Sequence, residues 1–157
     1  MSAQTALVGH TFEPGVLATV RALGGQFKHS RLTQVSCGEV IYLPALVEPS
    51  LGYTYDEVEG RDHCVRDILD RLPVVPGLRW VVGNPLTVRE VLESHLKKAG
   101  KHLLRGQYTW TDGHQPPPDG LDQVVVGYFD GDVVLTNSCH PGDWGDTIGL
   151  FVLGVPA

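Results

Sequence analysis

Basic residues are scarce in this chain, and scarcest toward its C-terminal end. After residue 100 the lysines and arginines are Lys101 and Arg105 alone, set against seven aspartates. Phosphate backbones are held by clustered Lys and Arg, and the nearest thing to a cluster here is Lys97, Lys98 and Lys101. Nucleic acid is therefore not an expected partner. Cysteine is sparse too. Cys37, Cys64 and Cys139 are widely spaced, odd in number and form no CxxC, which argues against a zinc site of the usual spacing and against a disulfide framework. No run approaches the roughly 20 apolar residues that span a bilayer. The N-terminus lacks a basic start followed by an apolar stretch, its first cation being Arg21, so no signal peptide is read there. The expectation is a reduced, cytoplasmic protein with no membrane association.

What the chain does have is glycine and proline, 19 and 11 residues, which implies many turns and sharply bounded elements. Its 157 residues are 42% hydrophobic, enough for one core, so residues 1–157 are read as a single domain. The net charge of -6 is unevenly placed: residues 1–100 hold 10 Lys and Arg against 11 Asp and Glu, leaving most of the excess to the last third.

Hydrophobic periodicity places the elements. A first helix follows Thr11, with Pro14 in its first turn, Val16, Leu17, Val20 and Leu23 at helical spacing, and Gly24-Gly25 at its end. Val35 to Leu43 reads as one strand, because Pro44 breaks the run. A second helix is expected from Glu59 to Leu72, stopped by Pro73, and a buried strand from Leu78 to Val82. The third helix is read from a capping box, Thr87 with Glu90, and ends at Gly100 in a left-handed cap. Beyond it the period changes to two. Strands are expected over 102–111, 123–129, 132–138 and 147–155, with a proline-rich loop at 112–122 and a type I′ turn at Asp130-Gly131. The order predicts an α+β fold: about three helices packed on one face of a mainly antiparallel sheet, with a C-terminal β-meander.

Chemistry has few places to sit. The loop His140-Pro-Gly-Asp143-Trp144-Gly-Asp146 gathers an imidazole and two carboxylates, a set that suits a divalent cation or a base with its orienting acid. Pro, Gly and Asp are also what a turn requires for its own backbone. A thiol site is the second candidate: Cys37, His140 and Asp143 follow the chain order of papain-like hydrolases, with Gln34 just before the cysteine. Two departures count against it. Those enzymes set the cysteine at a helix N-terminus, whereas Cys37 falls in a strand run, and Gln34 is a near neighbour in sequence. Tyr108, Trp110 and Trp144 are candidate binding aromatics, the first two sharing a strand face by their spacing. HExxH, GxGxxG, GxSxG and a phosphate-binding loop are all missing.

The reading this supports is a non-catalytic module that binds a protein partner, or a second copy of itself, through a sheet face or edge. The alternatives are a small hydrolase or transferase working from the 137–146 loop, and a small-molecule-binding domain walled by Tyr108 and Trp110. The sequence leaves the cofactor unknown, with a metal at His140, Asp143 and Asp146 one form of the hydrolase or transferase site.

Overall fold

The computed structural model describes residues 12–61, 63–114 and 122–157. In chain order the elements are α1 (Val16–Ala22), a 3-10 helix (Gly25–His29), β1 (Arg31–Val35), β2 (Gly38–Tyr42), α2 (Val65–Arg71), β3 (Leu78–Val82), α3 (Pro85–Ala99), β4 (Tyr108–His114), β5 (Gln123–Asp130), β6 (Val133–Cys139), β7 (Ile148–Gly149) and β8 (Val152–Pro156). Among the described residues no helix is long and apolar enough to cross a membrane.

The α+β class and the mainly antiparallel pairing are as expected. The strands, however, divide between two four-stranded sheets, β1-β2-β8-β3 and β6-β5-β4-β7. Among the described residues all pairings between these strands are antiparallel except that of β4 with β7. β4, β5 and β6 follow one another as neighbours, which is the expected meander.

The strand read over Val35–Leu43 is a hairpin folded about Ser36-Cys37, with Val35 opposite Gly38. β2 hid this, because it is buried on both faces and after Glu39 reads as an unbroken apolar run through Leu43. Val40 and Tyr42 point into a core shared with α3, while Ile41 and Leu43 point the other way, against Val16 and Val20 of α1. The helices therefore cover both faces of the first sheet.

α3 begins earlier than its capping box implies. Asn84 is the N-cap, its Oδ1 accepting from the Thr87 N–H at 2.8 Å, and Pro85 takes the first helical position, where a missing N–H costs nothing. Glu90 is thereby freed to reach the β1–β2 turn, accepting from the Ser36 N–H at 2.7 Å and its hydroxyl at 2.6 Å. Gly100 ends the helix at φ 70, as expected. The inner face, Val88, Val91 and Leu92, fills the space between the sheets, touching Tyr42 and Leu153 on one side and Val124, Val126 and Val134 on the other.

The strand expected over 147–155 breaks into two, one in each sheet. At the crossing, Leu150 and Phe151 are wholly buried, and their N–H groups donate to hydroxyls, Leu150 to Ser50 Oγ at 3.1 Å and Phe151 to Thr109 Oγ1 at 2.7 Å. α2 starts only at Val65, with Cys64 as N-cap. β4 starts at Tyr108 and runs on to His114, so the proline-rich loop begins later than expected and its residues 115–121 lie outside the described residues. The β5–β6 turn sits one residue on from the expected position. Asp130 pairs with Val133, leaving Gly131-Asp132 as the turn, with φ 62 at Gly131 alone, the pattern of a type II′ turn.

Candidate functional site

Each sequence-derived site residue has a definite place. Cys37 lies buried in the β1–β2 turn, where its Sγ accepts from the Thr87 hydroxyl at 3.7 Å. It lines a cleft of about 170 Å³ at the start of α3, together with Arg79, Asn84 and Asp112. His140 lies beyond the far end of β6 in the other sheet. Its Nδ1 accepts from the Gly142 N–H at 3.1 Å, its carbonyl accepts from the Asp143 N–H at 2.9 Å, and the Pro141 carbonyl next to it accepts from the Asp56 N–H. No hydrogen bond among the described residues joins Cys37 to His140 or Asp143. His140, Asp143 and Asp146 are all exposed. Among the described residues no three His, Cys, Asp or Glu side chains are gathered closely enough to hold a metal ion. The loop's backbone bonds are those of successive turns.

The aromatics part company. Trp110 is 0% exposed, and its Nε1–H donates to the Tyr53 carbonyl at 2.9 Å, so it is a core residue with its one polar atom satisfied. Tyr108 shares its strand face, as expected, but is half-buried and packs on Tyr128 with ring centroids 4.6 Å apart. Trp144 is 53% exposed, with the Arg61 guanidinium 5.0 Å over its ring and Gly52 close by. Arg61 in turn donates to the Gly52 carbonyl, which clasps the 140–146 loop to the 52–61 segment.

Two titratable groups outside the expected set stand out. Asp112, at the mouth of the Cys37 cleft, has its carboxyl raised above the usual carboxylate range by desolvation, with its own backbone hydrogen bond and His114 pulling the other way. Tyr55 is raised as well, by burial first and then by Asp112 and Asp56. Sequence reading placed Asp112 in a loop and gave no sign that it faces the start of α3. Cys139 is raised by burial and further by Asp143 and Asp122, so the thiol beside His140 is held in its protonated form.

The sheet edges are the remaining feature, and they are not alike. Unpaired strand edges template further pairing unless they are short, charged or covered. β7 is two residues long, and its Ile148 carbonyl is taken by the Gly52 N–H. β3 carries exposed Arg79 at its second position. β1 starts with exposed Arg31. β6 has none of these protections. It runs for seven residues, Val-Val-Leu-Thr-Asn-Ser-Cys, with no charge and no proline. Val133 is 55% and Leu135 38% exposed, and Thr136 and Asn137 are exposed beside them. Among the described residues the backbone of 133–139 hydrogen-bonds to β5 and, at the Ser138 N–H, to Asn137 Oδ1 of its own strand, and to no other segment.

No protein-family model, no curated protein and no solved structure matches this chain.

Proposed function

We propose that this protein is a non-catalytic interaction module whose working surface is the β6 edge, where a partner adds an extended strand. The observation that carries the reading is the contrast among the edges. Among the described residues β6 is the longest of the four and the one with neither a charged residue nor a covering segment. Strand addition draws its affinity from main-chain hydrogen bonds and its selectivity from alternate side chains. β6 presents Val133 and Leu135 as the apolar members of that alternation. The three cysteines are free, which suits a reducing compartment such as the cytoplasm.

The test is amide hydrogen exchange along β6, measured in the protein alone at high concentration and with an excess of a peptide spanning residues 131–140. The outward amides of 133–139 are expected to slow in one condition or both. Leu135→Lys, which places a cation on the edge, is expected to remove that protection while leaving thermal stability nearly unchanged. Unprotected exchange in both conditions overturns the reading.

A further inference from the structure

β6 is complementary to itself. Asp130 and Val133 close a two-residue turn as its hydrogen-bonded pair, so 135, 137 and 139 turn toward β5 with Val133. Position 138, whose N–H lies 2.9 Å from Asn137 Oδ1, then faces outward along the edge. By the alternation of an antiparallel ladder, Val134 and Thr136 face outward with it. Thr136 is also the middle of the seven residues. A two-fold axis through it is the one outward-facing centre that engages the whole strand against a second β6. In that register Thr136 meets Thr136 and the two exchange both backbone hydrogen bonds. Val134 meets Ser138, Leu135 meets Asn137, and Val133 meets Cys139.

One step beyond each end of the strand, Asp132 then stands opposite His140 of the second copy, and the pairing occurs twice. Both residues are exposed. Because His140 Nδ1 accepts from the Gly142 N–H, the ring proton sits on Nε2, which is left as a donor to a carboxylate. The ends of the strand are therefore matched donor to acceptor, and its middle is uncharged.

We propose that the occupant of the β6 edge is a second copy of this chain, paired antiparallel about Thr136, so that two four-stranded sheets join into one. This rests on the reading of β6 as the docking edge. An interface of one strand pair lies at the small end of specific contacts, so the dimer is concentration-dependent. Each copy carries -6, so association is measured at about 0.15 M salt, where charges more than ~8 Å apart are largely screened.

The decisive experiment is disulfide trapping in the full chain with Cys139→Ser, the other two thiols being buried. Residues facing each other in a hydrogen-bonded antiparallel pair have Cα atoms about 5.5 Å apart, within the span of a disulfide. Thr136→Cys is expected to cross-link to itself under mild oxidation at least tenfold faster than Leu135→Cys alone. Leu135→Cys and Asn137→Cys are expected to cross-link when mixed. Sedimentation of the reduced protein gives the second arm: Asp132→Arg is expected to weaken the dimer at least tenfold, and His140→Asp in the same chain to restore it. Cross-linking at β6 positions that do not sum to the Thr136 axis overturns the register while leaving the edge reading standing. A monomer throughout, whose β6 amides are nonetheless protected by the 131–140 peptide, overturns the dimer of whole chains while leaving β6 as a docking edge. A monomer with no protection by the peptide overturns both.

Discussion

His95 sits in the core between Tyr42, whose hydroxyl is 2.9 Å from its Nδ1, and the inner turn of α3, so acidification has a direct route into the packing. Burial lowers its pKa from histidine's ordinary value, and the charges of Arg31 and Lys101 act in the same direction. In the unfolded chain it titrates near ~6.5. Its folded value being lower, the unfolded state binds the proton first. Stability is then complete above about 6.5 and falls as pH drops toward the folded value. Melting temperature measured from pH 7.5 to pH 5 is expected to fall more steeply in the native chain than in His95→Gln, and equal slopes would remove His95 from the account. Trp110 makes a second residue-level prediction. Trp110→Phe leaves the buried Tyr53 carbonyl without its donor and is expected to cost about 1–3 kcal/mol in urea unfolding. His95 on an inner helical face was legible from spacing alone. That Trp110 is core rather than groove wall was not, because alternation shows which residues share a face and says nothing of what covers it.

The elements show why some boundaries are readable and others are not. β3 was legible to the residue, because a short apolar run bounded by Pro76-Gly77 and Gly83 has few other fates. The start of α3 was not. Thr87 with Glu90 satisfies the pattern of a capping box, but Pro85 with Asn84 before it satisfies the chain geometry three residues earlier, and Glu90 finds better partners in Ser36. The two caps separate by mutation: Asn84→Ala is expected to cost about 1 kcal/mol of stability through the lost cap, while Thr87→Ser, which keeps the hydroxyl facing Cys37, is expected to change it by less than half as much. The Ser36-Cys37 turn was hidden because neither residue is Asn, Asp or Gly. The positive φ of 115 falls on Gly38, which reads from sequence as part of the strand. β6 was legible as a strand and not as an edge. Edge or centre is decided by which strands lie alongside, and β7 arrives beside β4 instead of continuing the meander past β6.

For the whole molecule, the question is whether two sheets make one cooperative unit. α3 packs between them, and the chain passes from one to the other through Leu150 and Phe151. The expectation of a single domain predicts that both sheets unfold together. Denaturation followed at Trp80 in the first sheet and at Trp110 in the second, in variants that each retain only that tryptophan, is expected to give coincident midpoints. Thr109→Val, which leaves the buried Phe151 N–H without its acceptor, is expected to lower both midpoints together, by about 1–3 kcal/mol. Midpoints that separate would divide the chain into two units.

The same crossing sets an order of events. Among the described residues β8 is the strand that joins β2 to β3, since the sheet runs β1-β2-β8-β3. Until the chain has reached Val152, the β1–β2 hairpin and β3 share side-chain packing around α1 but have no strand between them to pair with. Closing the gap brings together residues as far apart as Tyr42 and Leu153, and such distant pairings slow folding. During that interval the β2 edge is bare and almost wholly apolar, with Val40, Ile41, Tyr42 and Leu43 in a row. The finished protein has β6 at the edge of its second sheet; the unfinished one leaves β2 open to any strand that passes, and that is where its misfolding would begin.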